Sequence, residues 1–349
     1  MSLPPTGRRS RTFAKDVAAR QGAFRETSST ISLAGRSPKD AVGIRHKHLL
    51  ALGCEQENLF PELRSHGGAL DFFRERHIHW WRSTSTGDRP GVESPTRNLT
   101  SSQLLCVNFL MPLREHPTVL LAMLNKLDGD VEDIVSIRYP SPTGETVESL
   151  VDFEFVGLSE PLEGGRPTRG AHVTSCDAVV LVRTRDLALR IYLMEWKYAE
   201  QYIGAKSKAA EDRGRVRLAR YRERYEAADG PFNRLISLRD VLYDPIYQIV
   251  RLGLLGDKLC REGAFGVEEA RVVVVCPEDN IEYRDTVTSP AIKAVAGTGA
   301  TLEGAVRSLW KDSAGFRVTS PQVLLNSARR VLPAALVKWD AYMIERYGW

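Results

Sequence analysis

Between residues 100 and 127 the apolar positions suit helices; from 149 they alternate as in strands; after 205 helical spacing returns, interrupted by a run of valines. Leu104, Leu105, Val107, Phe109 and Leu110 crowd one segment, which predicts a buried helix ended near Pro112. Thr100, with Gln103 three residues on, reads as the capping box that starts it. Residues 118–127 continue as helix until Asp128-Gly129-Asp130 stops them. Then the period changes. In 149–156, Val151, Phe153 and Phe155 fall on one side, a strand signature. A Gly- and Pro-rich turn at 164–170 leads to a strand over 175–182, and a hairpin connection at 183–186 to another over 191–198. A long polar helix is predicted over 205–228, and a further helix with Asp244 as N-cap and Pro245 at its first position. Residues 270–276, ended by Pro277, read as a strand buried on both faces. The remainder, including 320–331 and 334–347, is predicted to be mostly helical. Upstream, helical patches at 13–24, 46–54 and 68–81 precede a loop at 83–97 dense in Ser, Thr, Gly and Pro. A mixed sheet with helices on both faces satisfies this order of helix, three strands, two helices and strand.

Composition changes the picture little. A chain of 349 residues can bury one large core, or one core with a smaller attached region. The reading here is an N-terminal helical and irregular region (1–97), a core (98–285) and a C-terminal helical extension (286–349). A net charge of +4 and a pI near 8.8 permit a polyanionic partner, so the distribution of charge matters more than its total. Cys54, Cys106, Cys176, Cys260 and Cys276 form no CxxC pair, which points to reduced thiols in the cytoplasm. No apolar run approaches the roughly 18–20 residues of a membrane helix, and the N-terminus has no apolar signal segment.

The chemistry gathers in Ile191-Tyr192-Leu193-Met194-Glu195-Trp196-Lys197-Tyr198. On a strand, Glu195 and Lys197 share one face with Ile191 and Leu193, and burying two charges there is costly unless each has a partner or a metal. The preceding strand opens with Asp177. An Asp at a strand end followed by Glu-x-Lys on the next strand is an arrangement that holds a divalent metal against a phosphodiester. The plainer alternative is a Glu–Lys cross-pair on a solvated edge. Gln103 and Gln248 are auxiliary candidates: Gln103 near a metal or as capping partner of Thr100, Gln248 touching phosphate or Lys197, or simply exposed on its helix. Glu148, Asp152 and Glu154 flank the first strand, as further ligands or as ordinary surface. Lys206, Lys208, Arg213, Arg215, Arg217, Arg220, Arg222 and Arg224 make the 205–228 helix basic, fit to run along a phosphate backbone or to form a solvated face of ion pairs. Tyr202, Tyr221 and Tyr225 read as packing. In His77-Ile78-His79-Trp80-Trp81 the histidines lack a third ligand, and packing of the tryptophans is the expectation. No HExxH, Gly-x-Ser-x-Gly, Walker A or dinucleotide loop is present, which removes support for proteases, serine hydrolases and NTPases.

With Asp177 and then Glu195-Trp196-Lys197 set in that order of elements, the chain resembles the PD-(D/E)XK superfamily of restriction-endonuclease-like nucleases over about residues 98–280. The pairing of Thr-Ser-Ser-Gln-Leu-Leu-Cys-Val-Asn-Phe-Leu with Glu-Trp-Lys-Tyr looks like a bacterial branch known mainly as predicted nucleases; Cys176 stands where the superfamily often has Pro. The resemblance implies a restriction-endonuclease-like α/β core with N- and C-terminal helical additions. It implies Mg²⁺ or Mn²⁺ held by Asp177, Glu195 and the backbone carbonyl of Trp196. Lys197 would orient or deprotonate the attacking water, or act as a fixed positive charge. The implied partner is nucleic acid, DNA foremost, in bacterial defence or DNA processing. RNA cleavage and a non-catalytic binding or assembly role on the same scaffold stay open. A homodimer would supply the two sites of a double-strand cut.

Overall fold

The computed structural model describes residues 12–36, 47–82, 88, 93–140, 146–158, 162–163, 173–297 and 299–349; the turn at 164–170, His46 and most of the 83–97 loop lie outside them. The strands are β1 (Val131–Val135), β2 (Ile137–Pro140), β3 (Thr146–Ser149), β4 (Asp152–Phe155), β5 (Cys176–Thr184), β6 (Leu189–Trp196), β7 (Glu269–Val275) and β8 (Phe316–Thr319). The central sheet runs β1-β5-β6-β7-β8, with β4 also on β5, while β2 and β3 form a separate hairpin. Pairings up to β6 are antiparallel; β6–β7 and β7–β8 are parallel. This is a mixed sheet with helices on both faces.

Both faces of the β5–β6 hairpin are covered, so its residues are apolar on either side. Val179, Leu181, Ile191 and Leu193 enter one core; Val180, Val182, Tyr192, Met194 and Trp196 enter the other. The helices are α1 (Phe13–Thr27), α2 (Ala69–Glu75), α3 (Ser102–Leu110), α4 (Pro117–Asp128), α5 (Gly214–Glu226), α6 (Leu238–Val241), α7 (Ile246–Arg261), α8 (Ile281–Arg284), α9 (Pro290–Ala296), α10 (Leu302–Arg307), α11 (Pro321–Ala328) and α12 (Val337–Tyr347). Residues of α1, α3, α4, α11 and α12 fill the Trp196 side, and those of α5, α7 and α10 fill the Leu193 side. α7 lies close on β7 because Gly256 has no Cβ; one built there would meet the Ala270 Cβ at 2.7 Å. Gln248 and Arg251, on the same helix, face one cavity. Among the described residues, no helix is long and apolar enough to cross a membrane.

Several expectations are corrected. Ser101, not Thr100, caps α3, its hydroxyl accepting from Leu104 N at 3.3 Å. Residues 47–54 are not helical: Leu49 bridges to Asn98, and a 3₁₀ turn follows at Glu55–Asn58. The helix in 68–81 ends at Glu75, beyond which His77 takes a positive φ of 53°. The polar helix begins only at Gly214, packed so tightly that a Cβ would meet the Ala209 carbonyl oxygen at 2.0 Å. Pro245, not Asp244, occupies the N-cap of α7; Asp244 pairs with Lys208 at 3.0 Å instead. Residues 286–349 are not wholly helical, because they supply β8 beside β7.

Candidate active site

β5 and β6 pair as far as Ala178–Met194 and then part, while β6 stays on β7, Lys197 N donating to Val275 O at 2.9 Å. The sheet therefore opens between β5 and β6 at one end. Asp177 fills the gap: its Oδ2 accepts from the Trp196 N–H at 2.6 Å, which the ladder no longer serves. Glu195 precedes that donor, so the carboxylates of Asp177 and Glu195 are neighbours across the opening. Lys197 is 6 % exposed, and its Nζ donates to Glu195 Oε1 at 2.7 Å and to Gln248 Oε1 at 2.8 Å. Gln248 also donates through Nε2 to the Tyr202 hydroxyl at 3.4 Å. The sequence reading of Gln248 as an exposed helical residue is thus replaced by its other option, contact with Lys197.

The third carboxylate is Glu154. In the β4–β5 register, Phe153 faces Ala178 and Phe155 faces Cys176, so Glu154 stands opposite Asp177. Its φ of 48° interrupts the regular alternation of β4. Glu154 Oε1 accepts from Gln103 Nε2 at 2.7 Å and from Trp81 Nε1 at 2.8 Å, and Oε2 from Ser175 Oγ at 3.2 Å. Gln103 Oε1 in turn accepts from the Trp81 backbone N–H at 2.8 Å. Gln103 is therefore a bracket between α3, β4 and the 78–82 segment, not a capping partner.

Burial, with crowding of the carboxylates, shifts the protonation of Asp177 and Glu154. Burial, then repulsion from Glu195 and Glu154, pushes Asp177 well above the usual carboxylate range, with Lys197 and the Trp196 N–H opposing. Burial raises Glu154 to about 7; repulsion from Glu195 adds to it, against the bonds from Gln103, Trp81 and Ser175. For Lys197, burial favours the neutral amine, but Glu195 first, then Tyr202, Tyr283 and Glu200, outweigh it and hold the ammonium charged.

These groups line one cavity of about 630 Å³. Gln103, Glu154, Asp177, Glu195, Lys197 and Gln248 contribute to it, as do the cations Lys208, Arg213, Arg217, Arg220 and Arg251. Lys206 and Arg215 do not line it. Lys208 and Arg217 share Glu211 at 3.6 and 2.7 Å, so the basic wall is partly laced by ion pairs. Arg224 turns away to Asp257 and Asp229. Tyr221 and Tyr225 are packing residues, their hydroxyls donating to Glu163 at 2.7 Å and to Ile236 O at 2.9 Å. Of the other flanking acids, Glu148 pairs with Arg138 at 2.8 Å on the exposed hairpin, and Asp152 is buried against Arg76 at 2.8 Å and Tyr139. Trp80 packs as expected, stacked 3.9 Å from Phe73, but Trp81 is 47 % exposed at the cavity.

The sequence reading did not bring Trp81 or Arg251 to the cavity. For Trp81 the expectation was core or interface packing. Arg251 was passed over, although its i, i+3 spacing from Gln248 on α7 was the available signal. Arg251 donates to Glu163 Oε1 at 3.0 Å, Thr174 Oγ1 at 2.9 Å and Val173 O at 2.7 Å, bracing the approach to β5.

Among the described residues, no group of three or more His, Cys, Asp or Glu side chains is arranged to hold a metal by itself. What the opening offers is a pair of carboxylates with one oxygen each, Asp177 Oδ1 and Glu195 Oε2, that make no hydrogen bond among the described residues. That donor set fits Mg²⁺, which is held by one or two carboxylates and completes its shell with waters and phosphate oxygens. A family model described as restriction endonuclease associating with ARP matches residues 19–348. The chain belongs to this family. The match takes in every element that builds the cavity, from the Trp81 segment through α3, β4, β5, β6, α5 and α7. No match was found among the curated proteins or among the solved structures. The family's description is that of a restriction endonuclease, a class of nuclease.

Proposed function

We propose that the protein is a Mg²⁺- or Mn²⁺-dependent nuclease that hydrolyses phosphodiester bonds in DNA. The observation that carries this is the convergence of Asp177, Glu195 and a charged Lys197 at the opened end of the sheet, in a cavity with a basic wall. Asp177 and Glu195 would hold the ion, with the Trp196 carbonyl, which lies on the same edge of β6 as the N–H that Asp177 takes. A divalent ion bound there supplies Lewis-acid stabilisation of charge building on the phosphate and acidifies a water. Lys197, kept protonated by Glu195, acts as a fixed cation that orients the attacking water and balances phosphate charge. Gln248 and Tyr202 keep its stem aimed. Lys208, Arg213, Arg217 and Arg220 would follow the backbone of the substrate. On this reading α3, β4, β5, β6, α7 and β7 form a restriction-endonuclease-like core, working in the cytoplasm, in a family described as a restriction endonuclease associating with ARP.

The test is cleavage of supercoiled plasmid, linear DNA and labelled RNA in Mg²⁺, Mn²⁺ and EDTA. DNA cleavage that needs the metal and falls at least about a hundredfold in Asp177→Asn and Lys197→Ala is the expected result. Cleavage indifferent to EDTA or to Asp177→Asn contradicts the proposal. Cutting confined to RNA reassigns the substrate, and tight binding without cutting in either metal indicates a non-catalytic binding protein.

A further inference from the structure

Trp81 stands at the seam of two cavities. It lines the one that holds Asp177, Glu195 and Lys197, and also a neighbouring one of about 410 Å³ walled by Arg82, Thr96, Asn98, Thr100, Ser101 and Glu200. Its neighbour Trp80 is 4 % exposed and stacked on Phe73, whereas Trp81 leaves 47 % of its surface open. Leaving an indole in water forgoes hydrophobic stabilisation. Yet the ring is held in that position, by Nε1–H to Glu154 and by the backbone N–H to Gln103, both at 2.8 Å. The first bond ties it to the carboxylate cluster directly, the second through Gln103, whose Nε2 donates to Glu154 at 2.7 Å. A fixed flat ring facing solvent, beside a cavity walled by hydroxyl, amide, guanidinium and carboxylate groups, matches a nucleobase: an apolar face to stack and a polar edge of donors and acceptors to hydrogen-bond. A base inside a paired duplex keeps its groove edges within reach, but both its faces are covered by neighbouring bases and none is free for a ring to stack on.

We propose that Trp81 stacks on an unpaired base of the substrate, next to the phosphate that Asp177 and Glu195 address, and that the neighbouring cavity receives that base's edge. The substrate class is then nucleic acid with an unpaired nucleotide at the point of cleavage, either single-stranded or turned out of a duplex. This inference rests on the nuclease reading.

Binding in Ca²⁺, apart from any cleavage, tests it. Trp81 is the most solvent-exposed tryptophan, so its fluorescence reports contact with a base. A short single-stranded oligonucleotide, a fully paired duplex and a duplex with one unpaired base are titrated into wild type, Trp81→Ala and Trp81→Phe, with thermal unfolding of each variant confirming the fold. Quenching by the single strand is expected in wild type. In Trp81→Ala its affinity falls about ten- to a hundredfold and the preference for unpaired bases is lost, while Trp81→Phe, which keeps a ring but no indole N–H, retains most of the affinity. Tighter binding of the interrupted duplex than of the paired one points to a turned-out base; equal binding of those two, with the single strand tighter, points to single strands. An unchanged preference in Trp81→Ala, or wild-type fluorescence indifferent to every ligand, overturns the inference. Metal-dependent cleavage that persists alongside such a result leaves the nuclease reading standing; absence of both binding and cleavage removes that reading instead.

Discussion

Lys197 is charged inside the protein because Glu195 lies against it, with Tyr202, Tyr283 and Glu200 adding to the effect. Replacing the lysine leaves the Glu195 carboxylate uncompensated. Lys197→Met is therefore expected to cost about 3–5 kcal/mol in urea unfolding, along with loss of cleavage. The double variant Glu195→Gln/Lys197→Met is expected to recover most of that stability and none of the cleavage. Equal stability of single and double variants would show that the pair is not coupled. Glu154 gives the complementary case. Its carboxyl is raised from 4.5 to about 7 in the folded protein, so between those values the folded state binds more protons than the unfolded state. Stability then falls as pH rises from about 4.5 to about 7, and the loss is complete above that window. In Glu154→Gln the metal-free protein is expected to melt about 2–4 °C higher at pH 8 and to lose part of this pH slope. A lower melting temperature at pH 8 would show that the hydrogen bonds of Glu154, not its charge, dominate.

At the level of elements, β7 was legible because Val272–Val275 are buried on both faces, and a short unbroken apolar run has few other fates in an α/β protein. β8 was not, because Phe316-Arg317-Val318-Thr319 is a four-residue edge strand whose place depends on β7 beside it, not on its own pattern. The start of α5 was read too early: residues 205–213 are as polar as the helix, and only tertiary contact at Gly214 sets the boundary. Asp177, Glu195 and Lys197 could be found because their period on strands places them together. Glu154 could not be singled out, since its role depends on a positive φ that an alternating pattern does not encode. The basic wall was half legible: the charge of the helix was evident, the subset facing the cavity was not. Because Arg213 and Arg220 line the cavity, Arg213→Ala/Arg220→Ala is expected to weaken DNA binding and to lower the slope of log K against log salt by about 1.8. The same change at Arg215 and Arg222, which do not line it, is expected to alter the slope far less. Equal slopes in the two double variants would remove α5 from the interface.

At the scale of the whole molecule, α1 and α12 close the core on the α3 side of the sheet. One contiguous core runs from Val17 in α1 to Tyr347 in α12. Arg346 is fully buried there, donating to Asn58 O at 2.6 Å and to the Tyr342 hydroxyl at 2.5 Å, and Trp339 Nε1 donates to Asn108 O at 3.0 Å. Asn108 and Phe109 lie on α3, the helix that carries Gln103 to the cavity. Removal of residues 337–349 is accordingly expected to abolish a cooperative thermal transition; a truncated chain that still melts cooperatively would contradict this closure. The most direct test of the account as a whole is an anomalous-scattering map from crystals soaked in Mn²⁺. The expected result is a peak beside the Asp177 and Glu195 carboxylates that disappears in Asp177→Asn. Mn²⁺ that supports cleavage in solution while leaving that position empty, or binding elsewhere, would contradict it.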